Sequence, residues 1–187
     1  MLASALRYSH QLIAEVVDEH DTVVDATMGN GHDTLFLAQH VPNGVVHSFD
    51  IQEQALEQTA VLLSKYSLTA EVALHHDGHE NINTYIPHDT SVKAALFNLG
   101  YLPKSDKQII TKAQTTLTAL NELVSRLALG GRIVIVAYYG HQDGKEELQA
   151  VTDFCQRLDQ HQYQVLHYQF INQLNHPPIL FCIERRN

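Results

Sequence analysis

A doubly wound α/β fold, with a mostly parallel sheet and helices on both faces, is predicted by three features of the 187-residue chain. Short β-rich apolar runs alternate with longer segments of helical periodicity through most of its length. The last two apolar runs have no helical segment between them, which calls for an antiparallel hairpin at one edge. Glycine-rich or acidic turns follow the early runs, where a doubly wound sheet holds its ligands.

Leu6, Leu12, Ile13, Val16 and Val17 fall mainly on one face of a helix over roughly the first eighteen residues. Thr22–Ala26 reads as a strand, His32–His40 as a helix and Val45–Asp50 as a second strand. Gln52–Tyr66 is a helix, Glu71–His76 a third strand and Glu80–Ile86 a short helix or turn. Strand Val92–Asn98 leads to the longest helix, Asp106–Leu129, with Gly130-Gly131 as its stop. Strand Arg132–Tyr138 and helix Lys145–Gln160 complete the parallel part. Gln164–Ile171 and Ile179–Glu184 then pair across a loop containing Pro177-Pro178. Right-handed crossovers put helices on both faces, giving a seven-stranded sheet with one antiparallel strand. One domain accounts for residues 1–187, with 1–20 a helix packed on it and 161–187 a C-terminal hairpin.

The apolar share of 44% and charged share of 18% are those of a globular protein. No apolar run is long enough to cross a bilayer, and Arg7, Ser9, His10 and Gln11 interrupt the N-terminal run, so it reads as an amphipathic helix and not a signal peptide. Cys155 and Cys182 lack paired metal-site spacing and fit reduced thiols in a cytoplasmic protein. A net charge of −9 argues against a generic nucleic-acid coat, while leaving room for a local basic surface.

The chemistry begins at VVDATMGNGHDT, residues 23–34. Gly29-Asn30-Gly31 follows the first strand, where a backbone turns tightly against a ligand. A dinucleotide loop wants a third small residue where Thr34 stands, and a phosphate loop wants Gly-Lys-Ser/Thr, which is missing. Asp25 before the loop suits a ligand with a cationic amino group, held directly or through water. S-adenosyl-L-methionine has that ammonium and NAD does not. Asp50 ends the second strand, where its two oxygens are placed for both ribose hydroxyls, and Gln52 follows toward ribose or adenine. After the third strand, Asp77-Gly78-His79 faces the adenine edge. Helix capping by Asp25 and an ordinary turn role for Asp50 are the bland alternatives.

FNLGYLP, residues 97–103, ends the fourth strand beside the expected methyl donor. Its Asn98 is placed to accept a hydrogen bond from a target amine and aim the nitrogen lone pair, and Tyr101 to stack on an extruded base. This partly matches the Asn-Pro-Pro-Tyr loop of amino-nitrogen methyltransferases, with Leu99-Gly100 in place of the prolines. A strand-end turn with Asn as cap and Tyr as cover is the competing reading.

Together DATMGNGHDTLFLA, FDIQ, FNLGYLP, Tyr139-Gly140-His141 and FINQLNHPP resemble the MnmM (YtqB-type) family of tRNA 5-aminomethyluridine methyltransferases, long called rRNA methylases. The resemblance covers nearly the whole chain. It implies a class I SAM-dependent methyltransferase (Rossmann-like) fold and S-adenosyl-L-methionine as donor. It also implies methylation of 5-aminomethyluridine at the tRNA wobble position, and a homodimer. The expected donor-binding set is Asp25, Gly29, Asn30, Gly31, Asp33, Asp50, Gln52, Gly78 and His79, with His79 favoured over Asp77. Asn98 and Tyr101 are the expected catalytic pair. Tyr139, His141, Asn175 and His176 are expected at the pocket rim. Lys104, Lys107 and Lys112 are candidates for phosphates of the anticodon stem-loop, as are Arg185 and Arg186 at the end of the chain.

His75, His76 and His79 lie close together, but adjacent strand residues point to opposite faces, and methyl transfer from a sulfonium needs no metal. No metal is expected. Three rival functions stay open: a methyltransferase acting on rRNA or a small-molecule amine, a nucleoside-binding module without catalysis, and a dehydrogenase.

Overall fold

The computed structural model describes residues 2–100, 111–140 and 144–187. Its sheet has seven strands: β1 (Thr22–Asp25), β2 (Val45–Asp50), β3 (Glu71–His76), β4 (Val92–Leu99), β5 (Leu127–Ala137), β6 (Tyr163–Tyr168) and β7 (Ile179–Arg185). They lie in the order β3-β2-β1-β4-β5-β7-β6. The first five are parallel, and β7 runs antiparallel to both β5 and β6. The closing hairpin therefore inserts its second strand beside β5 and leaves β6 at the edge.

Alternation along the central strands splits the core in two. Val24, Ala95 and Phe97 pack beneath α4 (Ile82–Tyr85), α5 (Ala113–Arg126) and α6 (Gly144–Arg157). Val23, Val46 and Leu96 pack against α1 (Ala5–Ala14) and α2 (His32–His40). Helix α3 (Glu53–Leu63) buries Ala55 and Thr59. Chain order reverses on the two sides of β1, and that switch point opens a crevice beyond the carboxyl ends of β1 and β4.

Helix α1 is shorter than its apolar periodicity predicts, ending at Ala14. Several polar contacts anchor it. The Ser4 hydroxyl accepts from the Arg7 amide, and Arg132 of β5 reaches Leu12 O at 2.7 Å and Glu15 at 2.6 Å. The Tyr168 hydroxyl donates to Ala3 O at 2.7 Å.

The expectation that Gly130-Gly131 ends the long helix is not met. That helix stops at Arg126, whose buried guanidinium donates to Ile86 O and Pro87 O, and β5 begins at the next residue. The glycines instead carry a bulge between the pairs Val92↔Leu127 and Ala94↔Arg132. Gly130 has φ +65°, and a Cβ on Gly131 would lie 2.7 Å from Lys93 O. The predicted helix start at Asp106 lies outside the described residues.

Candidate active site

A cavity of about 710 Å³ opens at the carboxyl ends of the strands. Thr27 to Asn30 enter it from the loop after β1, Asp50 to Gln52 from the end of β2, and Asp77 to Glu80 from the turn after β3. Asn98 to Gly100 form the β4 side, while Leu6, Lys112, Tyr138 and His176 add walls from distant parts of the chain.

The loop after β1 is tight because two glycines adopt left-handed backbone, Gly29 at φ +53° and Gly31 at φ +80°. Gly31 N–H closes the turn onto Met28 O at 2.9 Å. Gly31 does not line the cavity. It lets α2 start hard against α3, where an added Cβ would fall 2.6 Å from Thr59 Oγ1.

Asp50 holds this loop from below. One carboxylate oxygen accepts Gly29 N–H at 3.0 Å and the other accepts Gln52 N–H at 2.9 Å. Each oxygen keeps a second lone pair, so the pair matches the two hydroxyls of a ribose. Asp50→Ala is expected to weaken donor affinity by roughly tenfold to a hundredfold, about 1.5–3 kcal/mol for hydrogen bonds to a charged acceptor. Calorimetry with the donor or its demethylated product measures this directly.

His79 starts a single turn of 3-10 helix, His79–Asn81. Its Nδ1 lies 2.9 Å from Ala26 O, and a carbonyl only accepts, so Nδ1 carries the hydrogen. Nε2 is then a lone pair, buried and without a partner among the described residues. Burial pushes this imidazole below its ordinary pKa and keeps it neutral. The site thus contains an acceptor fit for an exocyclic amine such as that of adenine. Asp77 also borders the cavity, but it already accepts from Gly78 N–H, Asn81 and the Tyr85 hydroxyl.

Asp25 requires a correction. The sequence places its carboxylate against the donor's ammonium, yet it is fully buried and absent from the cavity wall. Its oxygens accept the Thr34 hydroxyl at 2.7 Å and Thr27 N–H at 3.2 Å, and Thr34 also contacts Ser48 at 3.0 Å. Asp25 therefore shapes the loop from behind. The carboxylates that reach the cavity beside it are Asp33 and Asp50.

Burial, followed by the charge of Asp33, raises Asp25 from 3.8 to about 7. Between those values the folded chain keeps a proton that the unfolded chain has released, so stability falls as pH rises through that window. Asp25→Asn preserves the shape and can still serve Thr27 and Thr34. It is expected to stabilise the protein at pH 8 by at least about 1 kcal/mol, roughly 2–4 °C in Tm. The gain should vanish near pH 4, with donor affinity within a few-fold of the parent. Thermal melts at both pH values check it.

At the β4 end, Asn98 N–H donates to Thr27 Oγ1 at 2.7 Å, locking strand to loop. The Asn98 amide nitrogen donates to Asp33 Oδ2, and Asp33 Oδ1 accepts from His10 Nε2 at 2.6 Å. Among the described residues, Asn98 Oδ1 is buried without a partner.

Other expectations divide. Gly29, Asn30, Asp33, Asp50, Gln52, Gly78, His79, Asn98 and His176 border the cavity, as does Lys112. Tyr139 and Asn175 do not. Tyr139 packs on the core and lies edge-on to His176 at 5.4 Å, because β5 ends at Ala137 and the next residue, Tyr138, turns to the cavity. Asn175 is an exposed loop residue at φ +66°. Tyr101, Lys104, Lys107 and His141 lie outside the described residues. Sequence reasoning missed Leu6, Thr27, Tyr138 and the His10 contact. Among the described residues no group of three His, Cys, Asp or Glu side chains is placed to hold a metal.

Fold and relatives together define a class I S-adenosylmethionine-dependent methyltransferase, with the cavity at the carboxyl ends of the strands where such a sheet holds its ligand. Residues 46–184 match the family model described as "Putative rRNA methylase". A curated relative from Arabidopsis thaliana, "tRNA (mnm(5)s(2)U34)-methyltransferase, chloroplastic", is 36% identical over 98% of this chain and 70% of its own length. A solved structure from Clostridium thermocellum, described as "putative rRNA-methylase", is 47% identical, with TM-score 0.95 and 99% of both chains covered. A "putative methyltransferase" from Streptococcus mutans, solved in complex with SAH, is 42% identical, with TM-score 0.90 and 99% of both chains covered. The chain belongs to this rRNA-methylase family of methyltransferases.

Proposed function

We propose that the protein methylates the aminomethyl nitrogen of 5-aminomethyluridine at the tRNA wobble position, giving 5-methylaminomethyluridine, and works as a cytoplasmic homodimer. The observation that carries this reading is the buried, unpartnered carbonyl of Asn98 in a cavity-lining residue. A buried carbonyl without a donor costs about 1–3 kcal/mol, a cost that an acceptor N–H brought against it would relieve. The activity of the Arabidopsis relative, as its name states it, supports the same acceptor.

S-adenosylmethionine supplies an electrophilic methyl on a sulfonium sulfur. The protein must present an unprotonated amine to it. A primary alkyl amine has a reference pKa near 10.4, so only about one molecule in a thousand is free at neutral pH. Enclosure in the cavity lowers that pKa by desolvation. Asn98 accepts from one of the amine's two N–H bonds so that the lone pair is directed at the methyl, and such alignment is a large part of what an enzyme contributes to a two-centre displacement. The demethylated donor leaves as a neutral thioether and the new ammonium gives up a proton to solvent. Tyr138 and His176 wall the entrance. Lys112 offers a local cation for phosphate on an otherwise acidic chain.

The net charge of −9 favours one other acceptor, a small-molecule amine. Mass spectrometry of tRNA nucleosides from cells with and without the protein separates the two. Aminomethyluridine accumulates in its absence if the tRNA reading holds. Unchanged tRNA nucleosides reject it.

A further inference from the structure

The Asn98 amide has its orientation fixed by a residue pair outside the FNLGYLP stretch. An asparagine amide fits a pocket either way round, and only one sense leaves a carbonyl for an incoming amine. Here the neighbour decides. Asp33 Oδ2 lies against one end of the Asn98 amide, and a carboxylate oxygen only accepts, so that end must be the nitrogen. With the amide reversed, two acceptor oxygens would face each other.

Asp33 is in turn held from its other oxygen. His10 Nε2 is 2.6 Å from Oδ1, so this nitrogen carries the hydrogen. The His10 ring stacks on Phe36 with centroids 4.0 Å apart and planes within 7°. His10 belongs to α1, Asp33 and Phe36 to α2 and Asn98 to β4. The ring does not border the cavity itself. We propose that His10 is a positioning residue: it clamps Asp33, which turns the Asn98 amide so that its carbonyl is offered to the methyl acceptor. The inference rests on the amine-methylating role proposed above. It further restricts the acceptor atom to one that brings its own hydrogen, such as an amine nitrogen, and not a bare carbon or an anionic oxygen. It also makes the N-terminal helix part of the active site.

The test uses the full-length protein with tRNA carrying 5-aminomethyluridine. In His10→Ala, kcat is expected to drop roughly tenfold or more, with donor affinity by calorimetry unchanged. His10→Gln, which restores an N–H donor toward Asp33, should recover most of the loss. A helix that merely needed a side chain there for folding would show a lowered Tm and no such recovery. A second readout needs no acceptor. In the ¹⁵N spectrum of asparagine-labelled protein, the Asn98 side-chain NH₂ should be slow to exchange in the parent and fast in Asp33→Ala and His10→Ala. Parental kcat in His10→Ala, no recovery in His10→Gln, or a freely exchanging Asn98 amide in the parent would each overturn the proposal. A parent enzyme inactive on aminomethyluridine tRNA yet with a protected Asn98 amide would reject the substrate reading while supporting the amide clamp.

Discussion

Asn98→Ala is expected to lower the rate of methyl transfer by about a hundredfold or more while leaving donor affinity within a few-fold. The side chain contributes through its amide alone: the nitrogen rests on Asp33 and the carbonyl is unpaired. Its backbone N–H, which ties β4 to Thr27, survives the substitution. The truncation therefore removes the acceptor's hydrogen-bond partner without dismantling the strand end. It also leaves Asp33 with His10 as its partner. Single-turnover kinetics at saturating donor isolate this step. Asn98→Asp makes a sharper companion, since a second carboxylate against Asp33 forces like charges together. Its activity should be as low as that of the alanine variant. Full activity in Asn98→Ala would remove the residue from the mechanism.

The second large effect is expected at Gly31. Alanine there must adopt φ +80° and place its Cβ 2.6–2.9 Å from the side chain and Cα of Thr59. The left-handed backbone costs about 1–3 kcal/mol in a non-glycine residue, and overpacking adds a comparable amount. A loss of about 2–4 kcal/mol is a large share of a typical 5–15 kcal/mol stability. Tm should fall by roughly 5–15 °C. Relief requires α2 to move off α3, which carries Gly29 and Asn30 away from Asp50, so donor binding should weaken together with stability. Gly140→Ala is the control, because a Cβ there meets nothing within 4 Å among the described residues. Equal melting temperatures for the two variants would contradict this account of the loop.

The strand plan was readable because each β-branched run ends at a polar or glycine turn. Val45–Asp50, Glu71–His76 and His32–His40 fall where periodicity puts them. Asp50 was readable for the same reason: a strand tip in a doubly wound sheet has a position fixed by topology. Asp25 was read wrongly because the tip of a strand says where a side chain starts and not which way it turns. Its carboxylate points under α2 to the Thr34 hydroxyl, which also meets Ser48, a contact set by packing between elements. His10 was invisible for a related reason, since its meeting with Asp33 depends on how α1 docks against the sheet. Tyr138 and Tyr139 differ by where one strand stops, and a shift of one residue exchanges inside for outside. The helix stop misread at Gly130-Gly131 is a case of glycines serving a bulge, a role that local sequence does not separate from a cap.

In the proposed mechanism Asp50 and His79 hold a sulfonium nucleoside at the tips of β2 and β3 while Asn98 keeps an acceptor carbonyl beside it. A crystal structure with the demethylated donor product tests it most directly. The account predicts both ribose hydroxyls on Asp50, the base amine near His79 Nε2, and the Asn98 nitrogen still against Asp33. A ribose bonded elsewhere, or an Asn98 amide turned to give its nitrogen to the cavity, would contradict it.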